Sequence, residues 1–201
     1  LYVLLVLFRL YDDHRDLHAE VRRQRQRWIS DRGCKRYAWL SVTDCDVRES
    51  PEWLQEKLRV VGLRPINNIV DITNYVMMAY GQPMHCFDAD MVKGHKIVVR
   101  TQPEGTRFVT LDGEEHTLGE HDLSIRNAEE PMCIAGIFGG KGSGTYETTT
   151  NVVLESAYFH PTWIRKSARR HGLSTDASFR FERGIDPDGL IYALKQAAIL
   201  C

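Results

Sequence analysis

Apolar residues recur along this chain at two spacings, which predict separate helical and extended regions. Spacing of three and four residues predicts a helix that opens at Ser50–Pro51, with the serine as its cap, and closes at Gly62. The same spacing predicts a second helix over residues 67–80 that ends at Gly81. The inward faces are expected to carry Trp53, Leu54, Leu58 and Val61 in the first helix, and Ile69, Ile72, Val76 and Ala79 in the second.

Alternation of apolar and polar residues predicts short strands through the middle of the chain. They cover residues 36–42, 95–101, 107–111, 114–118, 122–126, 132–138 and 152–159. Asp112–Gly113 predicts a hairpin turn between two of them. A helix over residues 161–171, a loop over 173–186 and a last helix from about Asp188 are expected to follow. Since helices and strands mix without regular βαβ alternation, the predicted fold class is α+β with mainly antiparallel sheets.

The two ends of the chain resemble parts of larger elements. The apolar run in residues 1–13 stops at Arg9, far short of the ~20 residues that a membrane helix needs. No basic stretch or small-residue cleavage site indicates a signal peptide, so a buried strand or the edge of a neighbouring domain is favoured. Residues 14–36 are polar and basic, which predicts a solvated segment or a distorted strand. Because the chain stops within a helical pattern, we expect a fragment of a longer protein.

Composition narrows the class of protein without indicating a function. Of the 201 residues, 43% are hydrophobic and 26% are charged, which is typical of a globular domain in water. The net charge of −1 provides no overall attraction to nucleic acid or membrane, so any such affinity requires a local patch. Five cysteines lack the spacing of a zinc or redox site, which favours reduced thiols in a cytosolic compartment.

Two groups of residues resemble a phosphate-binding loop and a metal site, but their spacing fits neither. The glycine-rich run IAGIFGGKGSGT fails the phosphate-loop pattern, because Ala135 stands at its first glycine position and Gly142 follows the lysine. Its glycines indicate a tight turn or a close approach of backbone to a ligand. His85, Asp88 and Asp90 could form a metal cluster, but they fall on a predicted loop without a second histidine. A hydrogen-bonded His85 at a pocket edge is therefore favoured.

Charged residues within these patterns leave several interpretations open. Strand alternation places Glu155 on one face with Val153 and Ala157, where it is either exposed at an edge or directed into a pocket. The segment FRFERG at residues 179–184 suits packing on one side and anion or carboxylate pairing on the other. Four cations of the helix after Pro161 form either a solvated face or a grip on phosphates. They are Arg165, Lys166, Arg169 and Arg170.

Two segments, residues 64–90 and 151–187, set many polar residues inside apolar runs, which usually indicates a site. Motifs from these segments and the region between them closely resemble the editing region of the β subunit of bacterial phenylalanyl-tRNA synthetase. They are GLRPINNIVDITNYV, GQPMHCFDAD, TLDGE, CIAGIFGG, NVVLESAYF and RRHGLSTDASFRFERGIDP. The resemblance implies an editing domain over residues 34–189, with 1–33 as the edge of a preceding domain and 190–201 as the start of a following helix or linker. The family usually has alanine in place of Cys86.

The resemblance implies a function that composition could not. The parent enzyme is a cytoplasmic heterotetramer that charges tRNA with phenylalanine, using ATP and Mg²⁺ at a site in its α subunit. The region resembled here hydrolyses tyrosine mistakenly attached to the phenylalanine tRNA, on an α+β fold that contains a β-sandwich. The expected partners are the acceptor end of this tRNA, the tyrosine moiety and the α subunit, and no cofactor or metal is expected in the fragment itself.

Tyrosine differs from phenylalanine by one hydroxyl, which an apolar pocket rejects only about a hundredfold. A second site can require that hydroxyl, because a buried acid or imidazole left unpaired costs ~1–3 kcal/mol. By resemblance, Glu155 reads the hydroxyl and His85 belongs to the same pocket. The other implied residues are Thr73 and Asn74 on the pocket lining, Ala135, Gly136 and Gly139 on its floor, Ala177 as a size-limited wall, and Arg64 as a residue that orients the substrate.

No Ser-His-Asp or Cys-His arrangement emerges from the sequence. We therefore expect hydrolysis by positioned water, helped by the terminal ribose hydroxyl of the tRNA and by backbone donors, with His85 positioning the substrate ahead of transferring a proton. Two other functions stay open. The chain could be a tRNA-binding or scaffold module without hydrolysis in isolation, or a free-standing hydrolase of small amino-acid or peptide substrates.

Overall fold

The computed structural model describes the backbone of residues 3–8 and all of residues 33–201. These residues form ten strands and five α helices, in the order β1 (Val3–Phe8), β2 (Cys34–Val42), α1 (Glu52–Val60), α2 (Asn68–Tyr80), β3 (Met84–Asp88), β4 (Val98–Thr101), β5 (Thr106–Val109), β6 (Glu115–Leu118), β7 (Leu123–Arg126), β8 (Pro131–Ile134), β9 (Phe138–Gly139), β10 (Val152–Phe159), α3 (Pro161–His171), α4 (Asp176–Phe181) and α5 (Leu190–Leu200). Three antiparallel sheets result, ordered β1-β2-β10-β3, β4-β7-β8-β9 and β5-β6. The predicted α+β class with mainly antiparallel sheets is confirmed.

Strand β10 lies at the centre of the fold, and both of its faces are buried. Val152 and Leu154 pack into a core shared with helices α1, α2 and α5. Val153 and Phe159 pack on the opposite side, into a core shared with the second sheet and helix α3. Glu155 shares this second face by strand alternation. Its carboxyl is therefore placed between two packed layers rather than at an exposed edge of the sheet.

Helices α1 and α2 lie where the sequence predicted, but Ser50 does not cap α1. Pro51 stands at the cap position without a side-chain hydrogen bond. Ser50 Oγ instead donates to Asp71 Oδ2 (2.5 Å), and Asp71 Oδ1 accepts from the backbone N of Ile66 (2.9 Å). Asp71 is fully buried, so these two donors satisfy a carboxylate that has no access to water. This network joins the start of α1 to the first turn of α2.

Three residues expected on the inward helix faces are exposed. Trp53 and Val61 lie at the margin of α1, where the indole packs edge-on against Tyr75 with ring centroids 5.8 Å apart. Ala79 lies in the last turn of α2, beyond the layer that covers the sheet. The other predicted positions, Leu54 and Leu58 in α1 and Ile69, Ile72 and Val76 in α2, are buried.

Three local predictions were wrong. Residues 84–88 form strand β3 rather than a loop, because all five pair with residues 152–156 of β10. The strand expected over 132–138 divides into β8 and β9 at a turn where Gly136 has a positive φ of 67°. The loop expected over 173–186 contains helix α4, which Thr175 caps by accepting a hydrogen bond from the backbone N of Ser178 (3.1 Å).

The ends of the chain are described in part. Residues 3–8 form strand β1, which pairs with β2, whereas the segment expected to be solvated or distorted lies largely outside the described residues. Helix α5 packs against β10, β2 and α2, so its apolar face belongs to the same core as α1. The domain boundary expected at residue 189 stays a prediction. Within the described part of the chain, no helix has the length and apolarity needed to cross a bilayer.

Candidate functional site

Three side chains lie side by side across the first sheet at the middle of β10. Glu155 pairs with Trp39 of β2 on one side and with His85 of β3 on the other. Directly opposed residues of an antiparallel sheet place their side chains on the same face, so this row faces the second sheet. Glu155 is only 4% exposed. The sheet pairing therefore decides between the two interpretations that the sequence left open, and Glu155 is directed inward.

A small cavity of about 60 Å³ opens beside this row. Its walls come from β3, the turn between β8 and β9, β10 and helix α4. The lining residues are Pro83, Met84, His85, Cys133, Gly136, Ile137, Phe138, Gly139, Glu155, Ala177 and Phe181. Most of these residues are apolar, and the cavity thus presents one carboxyl and one imidazole within an otherwise apolar wall.

The Glu155 carboxyl is held by one neighbour and is largely desolvated. Tyr37 Oη donates a hydrogen bond to Glu155 Oε2 (2.9 Å) between buried side chains. Burial raises the pKa of Glu155 from its usual 4.5 to about 8, and the Tyr37 hydrogen bond offsets part of this rise. At neutral pH the group is therefore mainly a carboxylic acid, which can both donate and accept a hydrogen bond.

The His85 imidazole is also neutral. Burial lowers its pKa from 6.5 to about 4, and the ring packs edge-on against Phe87 with centroids 4.5 Å apart. Among the described residues, His85 Nε2 and Trp39 Nε1 are buried without a hydrogen-bond partner. The sequence predicted a hydrogen-bonded histidine at a pocket edge, and this nitrogen is instead unpaired inside the cavity. A buried polar atom in this state favours any ligand group that completes its hydrogen bond.

Cys133 and His85 line the same cavity but do not form an activated pair. Cys133 Sγ lies 3.3 Å from the carbonyl oxygens of both Ile134 and Phe138, and these two oxygens share its one S–H donor. Burial first and the charge of Glu155 second raise its pKa well above the usual value, so the thiolate is not formed at neutral pH. The cavity chemistry is consequently that of hydrogen bonding rather than of thiol attack.

Two glycines set the size of the cavity. A Cβ atom on Gly139 would lie 2.9 Å from His85 Cε1 and 2.8 Å from Leu111 Cδ1. A Cβ atom on Gly136 would lie 2.9 Å from the rings of both Phe159 and Phe181. Both separations are shorter than real side-chain contacts, so no larger residue fits at either position without displacing its neighbours.

The structure brings together five of the residues implied by the resemblance, and the other four do not line the cavity. Glu155, His85, Gly136, Gly139 and Ala177 all line it. The remaining four are Ala135, which is buried behind the floor, Thr73 and Asn74, which lie on α2, and Arg64, which is exposed on the α1–α2 connection. The roles assigned to all nine residues stay predictions.

Helix α2 nevertheless contacts helix α4, which contributes Ala177 and Phe181 to the cavity wall. The Arg180 guanidinium of α4 contacts Met78 Sδ of α2 at 2.9 Å. Asn74 precedes Met78 by one helical turn and therefore shares its face. Thr73 is turned inward, where its hydroxyl donates to the carbonyl of Val70 (2.7 Å). Of the two α2 residues, Asn74 is therefore the one on the face that contacts α4.

A shared metal site at His85, Asp88 and Asp90 is not formed. Alternation along β3 puts His85 and Asp88 on opposite faces of the sheet. The Asp88 carboxylate accepts hydrogen bonds from the Thr149 hydroxyl (2.6 Å) and from the backbone N of Asp90 (2.9 Å). In the part of the chain that the structure describes, no three His, Cys, Asp or Glu side chains gather as metal ligands.

The cations of helix α3 fall into two groups. Arg170 forms an ion pair with the buried Asp122, which also binds the Ser167 hydroxyl. The other three are exposed and have no carboxylate within ion-pair distance among the described residues; they are Arg165, Lys166 and Arg169. Both interpretations of this face, solvation and a grip on phosphates, remain open for these three residues.

The segment FRFERG pairs both of its arginines with carboxylates, as predicted, but packs only one of its two phenylalanines inward. Helix α4 buries Phe181 and leaves Phe179 52% exposed, with the Arg183 guanidinium carbon 3.5 Å from its ring centroid. Arg180 pairs with Asp176, and Arg183 also pairs with a neighbouring carboxylate. The helical period replaces the alternation that an extended segment would have given.

Sequence reasoning missed Tyr37, which carries the hydrogen bond to Glu155. The two residues are 118 positions apart, and no local pattern relates them. Alternation in the predicted strand over 36–42 could have placed Tyr37 and Trp39 on one face, but not against Glu155. The signal that was missing is the pairing of β2 with β10.

Comparison with known proteins adds the family. Residues 33–201 match the B3/4 domain family. The phenylalanine–tRNA ligase β subunits of Bacteroides fragilis and Bacteroides thetaiotaomicron are 66% and 65% identical to this chain over 167 residues, which cover 83% of the chain and 20% of each relative. The crystal structure of an N-terminal fragment of the phenylalanyl-tRNA synthetase β subunit from Pyrococcus horikoshii aligns with a TM-score of 0.45 and 13% identity, over 70% of this chain and 46% of that one. The chain spans about a fifth of the length of the curated relatives it matches. This chain belongs to the B3/4 domain family, and corresponds to the B3/4 region of bacterial phenylalanine–tRNA ligase β subunits.

Proposed function

We propose that this domain is an editing site that hydrolyses the ester between tyrosine and the phenylalanine tRNA. The observation that carries the proposal is the buried pair of Glu155 and His85 at the wall of a small apolar cavity. An aromatic side chain suits the apolar wall, and a phenolic hydroxyl suits the two polar groups. The relatives named above provide the setting, because their ligase must distinguish these two amino acids.

The preference for tyrosine over phenylalanine follows from the hydrogen bonds that each side chain can complete in the cavity. A phenol can donate to one of the two groups and accept from the other, so both the Glu155 acid and the unpaired His85 nitrogen gain a partner. Phenylalanine would cover the same groups with a ring edge and leave them unsatisfied, at a cost of ~1–3 kcal/mol. That cost corresponds to about five- to 150-fold in relative rate at equal chemistry. Gly136, Gly139 and Ala177 limit the size of the ring that fits.

Hydrolysis in this proposal uses water rather than a protein nucleophile. With a pKa of about 4, His85 is a weak base, and it serves to position the substrate. Water near the ester is oriented by backbone donors and by the terminal ribose hydroxyl of the tRNA, and confinement of the reacting groups lowers the barrier. Asn74 and Arg64 are assigned to the rim, where they would contact the part of the substrate that leaves the cavity. Thr73 is assigned no such contact, because its buried hydroxyl donates to the Val70 carbonyl.

The test is deacylation of tyrosyl-tRNA and phenylalanyl-tRNA by the chain, run beside a tRNA-binding titration. Faster release of tyrosine than of phenylalanine, with saturation in tRNA, supports the editing function. Binding of tRNA without release of either amino acid supports a scaffold module. Release of amino acids from small esters with no preference for tRNA supports a free-standing hydrolase, and the absence of both binding and release contradicts all three.

A tRNA-binding module is the second candidate, and the exposed face of α3 favours it. Among the described residues, no carboxylate pairs with Arg165, Lys166 or Arg169. Their helix packs against α4, which contributes Ala177 and Phe181 to the cavity. A polyanion bound along this face would bring its end towards the cavity. Editing and tRNA binding are compatible, because an editing site must hold the acceptor end of its tRNA.

Reversing two charges of α3 is expected to weaken the use of tRNA without changing the cavity. For Arg165→Glu with Arg169→Glu, we expect the KM for tyrosyl-tRNA to rise about fivefold. The slope of log KM against log salt concentration should decrease by about 0.7 for each phosphate that the helix no longer neutralises. Hydrolysis of tyrosine ethyl ester should be unchanged. The matched control reverses two exposed cations elsewhere, Lys57 on α1 and Lys195 on α5. An equal effect in the control, or none in the α3 variant, would assign this face to solvation.

Adding one methyl group to the cavity floor is expected to impair deacylation. In Gly139→Ala the new Cβ must displace the His85 ring, and we expect kcat/KM for tyrosyl-tRNA to decrease about fivefold. Gly144→Ala is the control in the same loop, since its Cβ would lie at an acceptable 3.4 Å from Leu111. Denaturant unfolding of both variants distinguishes destabilisation of the fold from a cavity that no longer accepts the substrate. Full activity of Gly139→Ala would place the substrate elsewhere.

The remaining parts of the proposal concern the parent enzyme. Aminoacylation with ATP and Mg²⁺, the α subunit and the cytoplasmic location are assigned to it and not to residues of this chain. The glycine-rich run offers no alternative ATP site, because Gly140 and Lys141 lead through a turn and a threonine-rich segment into strand β10 rather than into a helix.

A further inference from the structure

We infer that Tyr37 is a positioning residue for tyrosine recognition, because its hydroxyl fixes the orientation of the Glu155 carboxyl that reads the substrate hydroxyl. The inference rests on the proposed editing function and extends it to a residue of another strand. Tyr37 lines no part of the cavity itself. It acts through Glu155, and its role is therefore distinct from contact with the substrate.

The geometry of the sheet produces this contact. Tyr37 pairs with Ala157 on β10, one same-face position beyond Glu155, so that its hydroxyl reaches Glu155 Oε2 diagonally at 2.9 Å. The phenol ring is 6% exposed and packs in the core that contains Phe159. Because a tyrosine ring has only two side-chain torsions, packing of the ring also fixes the position of its hydroxyl.

The direction of the hydrogen bond determines which donor and acceptor positions of the Glu155 carboxyl remain for a ligand. Tyr37 donates and Glu155 Oε2 accepts, which stabilises one rotamer of the acid. The hydrogen-bond capacity of the carboxyl that Tyr37 does not use is then available to the phenol of a bound tyrosine. Without the Tyr37 hydroxyl, the Glu155 carboxyl would be free to rotate. The oxygen that had accepted from Tyr37 would then also accept from the substrate hydroxyl, in a different orientation. Both effects reduce the preference for tyrosine over phenylalanine.

Among the described residues, four titratable side chains lie near Glu155. Cys34 and Tyr37 lie on β2, His85 on β3 and Cys133 on β8. Burial raises the pKa values of both thiols and of the Tyr37 phenol well above their usual values, and it lowers that of His85 to about 4. Between pH 6 and pH 9 these neighbours keep one charge state, so Glu155 is the group of this cluster that titrates. The Tyr37 hydrogen bond lowers its pKa, and removal of the bond must raise it.

The experiment compares Tyr37→Phe with Tyr75→Phe, which removes the same hydroxyl from a half-buried ring on α2. For Tyr37→Phe we expect the ratio of kcat/KM for tyrosyl-tRNA over phenylalanyl-tRNA to fall about threefold. The titration midpoint of Glu155, measured by carbon-13 NMR of the carboxyl, should move upward. Tyr75→Phe should change neither quantity. Denaturant unfolding of both variants measures the loss of stability, which alone would move neither the ratio nor the midpoint.

The outcomes separate this inference from the proposed function. An unchanged ratio and an unchanged midpoint in Tyr37→Phe would overturn the inference while leaving editing intact. If the parent chain releases no amino acid from either tRNA, the proposed function fails. The role of Tyr37 is then judged by the midpoint and by the binding of free tyrosine relative to phenylalanine, where the same loss of preference is expected and its absence overturns the inference.

Discussion

Replacing Glu155 by alanine is expected to remove most of the preference for tyrosine. We expect the ratio of kcat/KM for tyrosyl-tRNA over phenylalanyl-tRNA to fall at least about tenfold, because the group that phenylalanine leaves unsatisfied is no longer present. The loss should come from slower release of tyrosine together with relatively faster release of phenylalanine. The measurement is deacylation of both esters by the same preparation. If the alanine variant releases tyrosine at the parental rate, the role assigned to Glu155 is wrong.

Glutamine at the same position shows which charge state of Glu155 hydrogen-bonds the tyrosine hydroxyl. The Glu155 pKa of about 8 makes the group mainly neutral at pH 7, and a neutral amide retains both a donor and an acceptor. If the neutral acid is the reader, Glu155→Gln should keep most of the preference that alanine loses. If the small ionised fraction of Glu155 binds the substrate hydroxyl, the glutamine and alanine variants should lose the preference equally at pH 7. The parent should then gain preference as the pH rises through 8.

The elements that could be predicted from the sequence are those with local end signals. Helix α2 begins where the Asn67 side chain accepts a hydrogen bond from the backbone N of Val70 and ends at Gly81, and the hairpin of β5 and β6 turns at Asp112–Gly113. Each signal acts within four residues of the chain, so no tertiary information is required. Strand β3 has no comparable signal. It is ordered by pairing with β10, which is about 70 residues away.

The candidate site depended even more on distant pairing. Alternation placed Glu155 on a face but could not show that this face is covered by a second sheet. The family resemblance supplied Glu155, His85 and Gly139 before the fold was known, and the structure brings these three together. It could not supply Tyr37, whose importance arises from the register of β2 against β10. Residues that act through another residue leave no motif of their own.

The buried acid should also make the stability of the fold depend on pH. The pKa of Glu155 is about 8 in the folded chain against 4.5 in an unfolded one, so the folded state retains a proton that the unfolded state has released between these values. The free energy of unfolding therefore decreases as the pH rises through this window, by roughly 1 kcal/mol per pH unit. His85 acts in the opposite direction, because its folded pKa of about 4 lies below its usual 6.5. Between pH 4.5 and 6.5 the two effects oppose each other, and above pH 6.5 only that of Glu155 remains.

Denaturant unfolding between pH 6.5 and pH 8, in the presence of a thiol reductant, isolates this effect. We expect the parent chain to lose about 1.5 kcal/mol relative to Glu155→Gln, which has no proton to release, over these 1.5 pH units. Below pH 6.5 the glutamine variant should itself lose stability as the pH falls, because His85 binds a proton on unfolding, and adding His85→Asn should abolish that loss. Parallel curves for the parent and Glu155→Gln above pH 6.5 would mean that the carboxyl is already ionised in the fold. The hydroxyl reader would then be a carboxylate, and the neutral-acid form of the proposed mechanism would fail while the cavity remained the site.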